Sequence, residues 1–288
     1  MISLLQVLKY SAPVAFGAIG ESFVQRAGII NIGLEGLMLS SAFSATLVAD
    51  KTGNPWLGTV AGMAIGLLVA MIFGVLTIKF ALDQIVVGTA LNLLALGVCG
   101  TLFEKQGATG KLLNLPSVPT LVGKFDVILL LLIVLAVAIG WVLYRTNYGL
   151  KLRAAGEYPP SVEAAGFSPI VLRYQALIVG GVMGGLGGAY LALGVAQSFA
   201  TEMIAGRGFI AIALVTFARW RPFGIFLSAL LLGIFEVLQF ELQMSGSQIP
   251  RSVLLALPYI ATLLILIVVG KGTKAPQSLG VPLAREEQ

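Results

Sequence analysis

The sequence predicts an all-α fold, a polytopic bundle of transmembrane helices, and three observations carry that prediction. Charged residues make up 11% of the 288 residues and apolar ones 58%, whereas a soluble domain has about 25% charged residues. So little charge cannot cover a water-facing surface. Charge-free apolar runs recur along the chain, each about long enough to cross a bilayer as a helix. Lys and Arg gather between these runs, where loops belong. As a single domain over residues 1–288, the chain has room for about nine spans of about 20 residues, with eight or ten compatible.

The runs appear in this order. Ser11 to Gln25 is apolar but ends near Glu21, and Ile29 to Ala49 is interrupted by Asn31 and Glu35. Thr52 to Ile78 lies free of charge between Lys51 and Lys79. Gln84 to Phe103, Val127 to Tyr144 and Tyr174 to Thr201 follow as strong spans, as does Ser252 to Gly270 at the end. Gly208 to Ala218 is short, and Pro222 to Phe240 contains Glu236. Short or polar-interrupted segments of this kind mark broken or cavity-lining helices in transporters. The stretch before Ser11 has one charge and no small-residue cleavage pattern, so it reads as the start of the first span and not as a signal peptide.

Two interrupted segments look alike: RAGIINIGLEGL (Arg26 to Leu37) and AGRGFIAIALV (Ala205 to Val215). With nine spans they run in opposite directions, each in the second span of a four-span half, with Val127 to Tyr144 between the halves. This predicts an inverted repeat.

Charge sets the expected orientation. With the loop after Tyr144 inside, the inner side holds Arg26, Lys79, Arg145, Lys151, Arg153, Arg173, Arg219, Arg221, Lys271, Lys274 and Arg285. The outer side holds Lys9, Lys51, Lys105, Lys111, Lys124, Arg207 and Arg251. The majority inside follows the positive-inside rule and puts a tail of residues 271–288 in the cytoplasm of a multi-pass inner-membrane protein.

Catalytic chemistry finds few residues to use. There is no histidine, and Cys99 is the single cysteine, so no Ser-His or Cys-His pair and no internal disulfide can form. Phosphate-binding P-loop, zinc-protease and serine-hydrolase motifs are absent. GGVMGGLGG (Gly180 to Gly188) lies in an apolar run with no preceding strand, so it reads as a close-packing helix surface. No metal site, no cofactor and no nucleic-acid binding is expected, because no basic cluster is interleaved with exposed aromatics.

Residues 145–173, RTNYGLKLRAAGEYPPSVEAAGFSPIVLR, form the most informative loop. After Pro159 and Pro160, Ser161 can cap a short helix that Gly166 stops. Such a helix offers a firm surface to a partner, although a solvated basic loop fits the composition too. Inside the membrane, Glu35 follows Asn31 by one turn on the same face. These two, with Asn92, are candidates for a polar solute pathway, since ionisable residues in a span are costly. Pairing of Glu35 with Arg26 or with backbone amides is the other reading.

GLKLRAAGEYPPSVEAAGFSP (Gly149 to Pro169) resembles the coupling loop of ABC-importer permeases of the branched-chain amino acid, ribose and simple-sugar class. FVQRAGIINIGLEGLMLSSAF (Phe23 to Phe43) resembles the first signature of that family, and with AGRGFIAIALVTFARWRPFG (Ala205 to Gly224) the match is nearest the nucleoside-type subgroup. The resemblance implies that Glu163, Ala164, Ala165 and Gly166 form the coupling helix, with Arg153, Gly156, Glu157 and Pro159 at its approach. It also implies the partners: an ATP-binding subunit that holds the ATP, a second permease, identical or homologous, and an extracytoplasmic solute-binding protein. In the broader class's EAA motif, glycine does not follow the alanines directly as Gly166 does here. The expected function is therefore a permease subunit that imports a small polar solute, with no enzymatic role. Nucleosides come first, then simple sugars, then branched-chain amino acids. The alternative is a stand-alone carrier or channel using Glu35, Asp83 or Glu236.

Overall fold

The computed structural model describes residues 3–105, 116, 120–122, 125–245, 250–269 and 274–282. Lys111, Lys124, Lys271 and Arg285 of the charge pattern lie outside the described residues.

Each predicted span contains a helix among the described residues. α1 (Leu4–Arg26), α2 (Leu34–Thr52), α3 (Pro55–Gly74), α4 (Gln84–Lys105) and α5 (Val127–Arg145) make up the first part. α6 (Asn147–Glu157) and α7 (Pro159–Ala164) form an elbow, followed by α8 (Pro169–Tyr190), α9 (Arg207–Phe217), α10 (Pro222–Met244) and α11 (Arg251–Val269). Wider π turns prolong α3 through Val75–Lys79 and α8 through Leu191–Ala196. A small antiparallel hairpin, β1 (Thr120–Val122) with β2 (Phe125–Asp126), precedes α5.

Among the described residues, five helices are long and apolar enough to cross a membrane: Pro55–Lys79, Gln84–Lys105, Val127–Arg145, Pro169–Ala196 and Pro222–Met244. The Glu236-containing segment is a full-length apolar span, and α11 covers the span expected from Ser252 through Val269.

α1 and α8 form the centre. Ser11 through Gln25 of α1 are all buried, and 83% of the apolar window of α8 is buried inside the protein. A central helix meets other helices and not lipid, so small size matters more than hydropathy. Gly187 of α8 sits on Pro13 and Phe16 of α1, while Gly180 sits on Val24 and Gly20. The two helices are therefore antiparallel. α3 crosses α8 just as closely: a Cβ at Gly66 would lie 2.5 Å from the Gly181 carbonyl and 2.6 Å from Gly185 Cα.

The packing obeys the predicted repeat. Exchanging α1, α2, α3 and α4 with α8, α9, α10 and α11 maps one set of helix contacts onto another. α3 on α8 becomes α10 on α1, α2 on α8 becomes α9 on α1, and α2 on α4 becomes α9 on α11. α5 lies outside the exchange and packs on α1, α6 and α10.

At the end opposite the elbow, Asp126 is buried at 2% exposure. Its carboxylate accepts a hydrogen bond from the Tyr190 hydroxyl at 2.9 Å and pairs with Lys9 at 3.3 Å. This ties the first turn of α5 to α1 and α8.

Candidate functional site

The two look-alike segments are breaks in the helical bundle that meet each other. Residues 27–33 leave α1 and do not become helical until Leu34, so α2 starts five residues later than the apolar run. Residues 197–206 likewise precede α9, whose eleven residues span only about 17 Å. Away from water, the backbone groups released by such breaks need internal partners. Polar side chains supply them.

At the first break, Asn31 N–H donates to Glu21 Oε1 at 3.0 Å, and Ile30 N–H to Gln84 Oε1 at 2.8 Å. Asn92 serves both ends of the opening turn of α2. Its Oδ1 accepts from Gly36 N–H at 2.7 Å, while its Nδ2 donates to the Ile32 carbonyl at 3.0 Å. Asn31 Oδ1, buried, has no hydrogen-bond partner among the described residues.

At the second break, Glu35 caps the facing helix. Its two carboxylate oxygens accept from Gly206 N–H and Gly208 N–H, each at 2.7 Å. These are among the amides that a helix start leaves open, and they carry the positive end of its dipole, so a carboxylate is favoured there. The starts of α2 and α9 thus oppose each other, one capped by Asn92 and the other by Glu35. Beside them Arg207 donates to the carbonyls of Met203 and Ile204 and pairs with Glu236 at 3.2 Å. Glu236, Tyr10, Ser11, Ile210 and Pro258 line a small recess there.

Sequence reasoning named Asn31, Glu35 and Asn92, and the structure brings all three to one junction. It places the carboxylate of Glu35 on backbone amides. Asp83, named for the carrier alternative, accepts from the N–H groups of Ile85 and Val86 at the start of α4. Glu21 and Gln84 were noted but given no partners. Each reaches across the fold or along its helix to amides of the first break, and no spacing in the sequence reveals that.

At the elbow, the expected helix exists but begins earlier than Ser161. α7 starts at Pro159 with Tyr158 as its N-cap, and the Ser161 hydroxyl donates to the Tyr158 carbonyl at 2.7 Å and caps nothing. Proline has no N–H to leave unpaired and a φ set for the first helical turn, so the pair of prolines opens the helix. Gly166 does stop it, at φ +80°. The helical stretch α6, capped by the Thr146 hydroxyl on Gly149 N–H, lies in what sequence reading leaves as loop.

The candidate coupling residues divide between two surfaces. Glu163, Ala164, Ala165 and Gly166 are exposed, together with Phe167, while Val162 beneath them is buried. Gly156, Arg153, Glu157 and Pro159 look inward or flank the inner contacts. Gly156 is buried against the backbone of Arg26, and Arg153 lies 5.2 Å over the Tyr144 ring. Glu157 pairs with Arg26 at 3.8 Å.

From Arg26 a polar chain leads into the membrane. Its guanidinium lies 5.4 Å from the Trp220 ring and donates to the Tyr144 hydroxyl at 3.2 Å. Trp220 Nε1 donates to Gln25 Oε1 at 2.8 Å, and Gln25 Nε2 donates to Glu21 at 3.1 Å. Glu21 in turn holds Asn31. An exposed tip, a stem paired with Arg26 and a polar line to the first break thus lie in one continuous stretch of the fold.

Known proteins share this chain's pattern. A family described as branched-chain amino acid transport system / permease component matches residues 3–270. The Nucleoside ABC transporter permease protein NupC of Lactococcus lactis subsp. cremoris is 36% identical over 97% of this chain and 96% of its own. The Guanosine ABC transporter permease protein NupQ of Bacillus subtilis is 36% identical over 96% of this chain and 94% of its own. A second Bacillus subtilis relative, the Guanosine ABC transporter permease protein NupP, is 25% identical over 79% of this chain and 71% of its own. No solved structure matches.

Proposed function

The chain belongs to the branched-chain amino acid transport system permease family, as a membrane-spanning subunit of an ABC importer, and from that premise we propose that its solute is a nucleoside. One observation carries the proposal: identity of 36% along nearly the whole chain to permeases named for nucleosides and for guanosine.

Bacillus subtilis has two guanosine permease proteins, related to this chain at 36% and 25% identity. That supports a pore built with a second, non-identical permease. A separate ATP-binding subunit docks on Glu163 to Phe167, the exposed tip of the elbow, and a solute-binding protein delivers cargo at the far side. The elbow faces the cytoplasm, a placement supported by the basic residues around it. The solute passes beside the opposed starts of α2 and α9, where the unpartnered Asn31 Oδ1 offers an acceptor, while Glu35 and Asn92 hold the walls in register.

Closure of the ATP-binding subunits shifts the elbow, and the shift biases two arrangements of the breaks. Glu163→Arg tests this reading. In a reconstituted complex the reversal should cut ATP-driven uptake about tenfold or more, the cost of a like-charge or unpaired contact at an interface. Uptake at the wild-type rate would contradict docking at this tip.

A further inference from the structure

Residues 274–282 lie beyond the residues that match the family. They fold back across the stem of the elbow and onto the first break. Ser278 N–H donates to the Gly156 carbonyl at 2.9 Å, and the Ser278 hydroxyl donates to the same oxygen at 2.6 Å. Gln277 N–H reaches Glu157 at 3.3 Å. On the other side, Gly280 N–H donates to the Gly28 carbonyl at 3.2 Å.

Arg173, in the second turn of α8, locks these pieces together. Its Nε donates to the Ala27 carbonyl at 3.2 Å, its Nη1 to the Val281 carbonyl at 3.4 Å and its Nη2 to the Ser278 hydroxyl at 3.5 Å. The residue is only 2% exposed. A buried cation needs its donors satisfied, and here carbonyls from two separate segments satisfy them. Gly28 is shaped to the same clasp. It sits at φ +89°, and a Cβ there would lie 2.5 Å from Ser278 Oγ and 2.9 Å from Arg173 Nη2. Moving the strap or the break alone would strand a buried guanidinium, and moving the stem alone would break the bonds of Ser278 to Gly156.

We infer that residues 274–282 are a transmission strap, with Arg173 and Ser278 as positioning residues that make the elbow stem and the break at Ala27–Gly28 move as one body. The inference rests on the permease reading above. A displacement of α6 and α7 by the ATP-binding subunit is thereby delivered to the segment that holds Asn31. The polar chain through Arg26 runs in parallel but depends on an ion pair at 3.8 Å with a half-exposed carboxylate. The strap is the firmer connection.

The test compares three versions of the complete complex in proteoliposomes: the wild type, a chain ending at residue 273, and Ser278→Ala. The readouts are guanosine taken up per ATP hydrolysed and co-purification of the ATP-binding subunit. The strap predicts retained co-purification and ATP hydrolysis, with uptake per ATP lower by about tenfold in the truncation and about threefold in Ser278→Ala, as lost hydrogen bonds of this kind imply. Unchanged uptake per ATP in the truncation overturns the inference. So does loss of the ATP-binding subunit from both variants, which would make the strap a docking surface. If the truncated chain does not accumulate, Ser278→Ala alone decides by the same ratio. Absence of ATP-driven uptake in the wild type would instead overturn the permease reading, and the strap with it.

Discussion

Glu35 shows how an expensive residue settles inside a bundle. Both of its oxygens cap amides of α9, and an orphaned buried N–H costs about 1–3 kcal/mol. Glu35→Ala should therefore lower the unfolding free energy of the purified chain by about 2–4 kcal/mol, and Glu35→Gln, which keeps one acceptor, by about half as much. Denaturation in detergent measures both. Equal stability of all three proteins would remove the capping role. That Glu35, Asn31 and Asn92 are special was legible from the sequence, because polar groups within apolar runs need a reason. Their partners were not. Glu35 reaches Gly206, and Asn92 reaches Gly36, across separations that only the folded packing defines.

At the scale of elements, glycine sorts the helices by what they face. Gly66 is pressed between Gly181 and Gly185, whereas Gly97 on α4 has nothing among the described residues within 4 Å of a built Cβ. Gly66→Ala should force α3 off α8 and cost about 1–3 kcal/mol, while Gly97→Ala should be neutral or stabilising by up to about 1 kcal/mol, since alanine is the better helix former. Melting temperatures of the two variants in one detergent check the contrast, and a reversed order would refute the packing. Hydropathy found the lipid-facing helices readily and undervalued α1, whose many neighbours are other helices. It also hid α6, because Lys151, Arg153 and Glu157 make that helix as polar as a loop. At the elbow the chemistry of Pro159 outranks that of Ser161, a competition that residue preferences alone left open.

For the whole molecule, the sequence offered one short likeness, Arg26 to Leu37 with Ala205 to Val215, as the trace of a repeat. The folded chain extends it to eight helices whose contacts exchange in pairs. Repeats diverge in sequence while their packing is retained, because packing tolerates many apolar side chains of similar volume. The junction of the two halves then lies where both breaks meet, and the elbow and strap reach it from one end only. That asymmetry suits a device driven from one side of the membrane. The elbow was legible as a distinct segment because its composition differs from everything around it. The strap was not, since nothing in KAPQSLGVP predicts where it folds back.

As proposed, this chain forms a solute path that it does not drive alone. The direct measurement is uptake of radiolabelled guanosine into proteoliposomes, by this chain alone under an ion gradient and by the complex with its second permease, ATP-binding subunit and binding protein. Uptake is expected only in the complex and only with ATP inside the compartment that the elbow faces. Gradient-driven uptake by the isolated chain would contradict it.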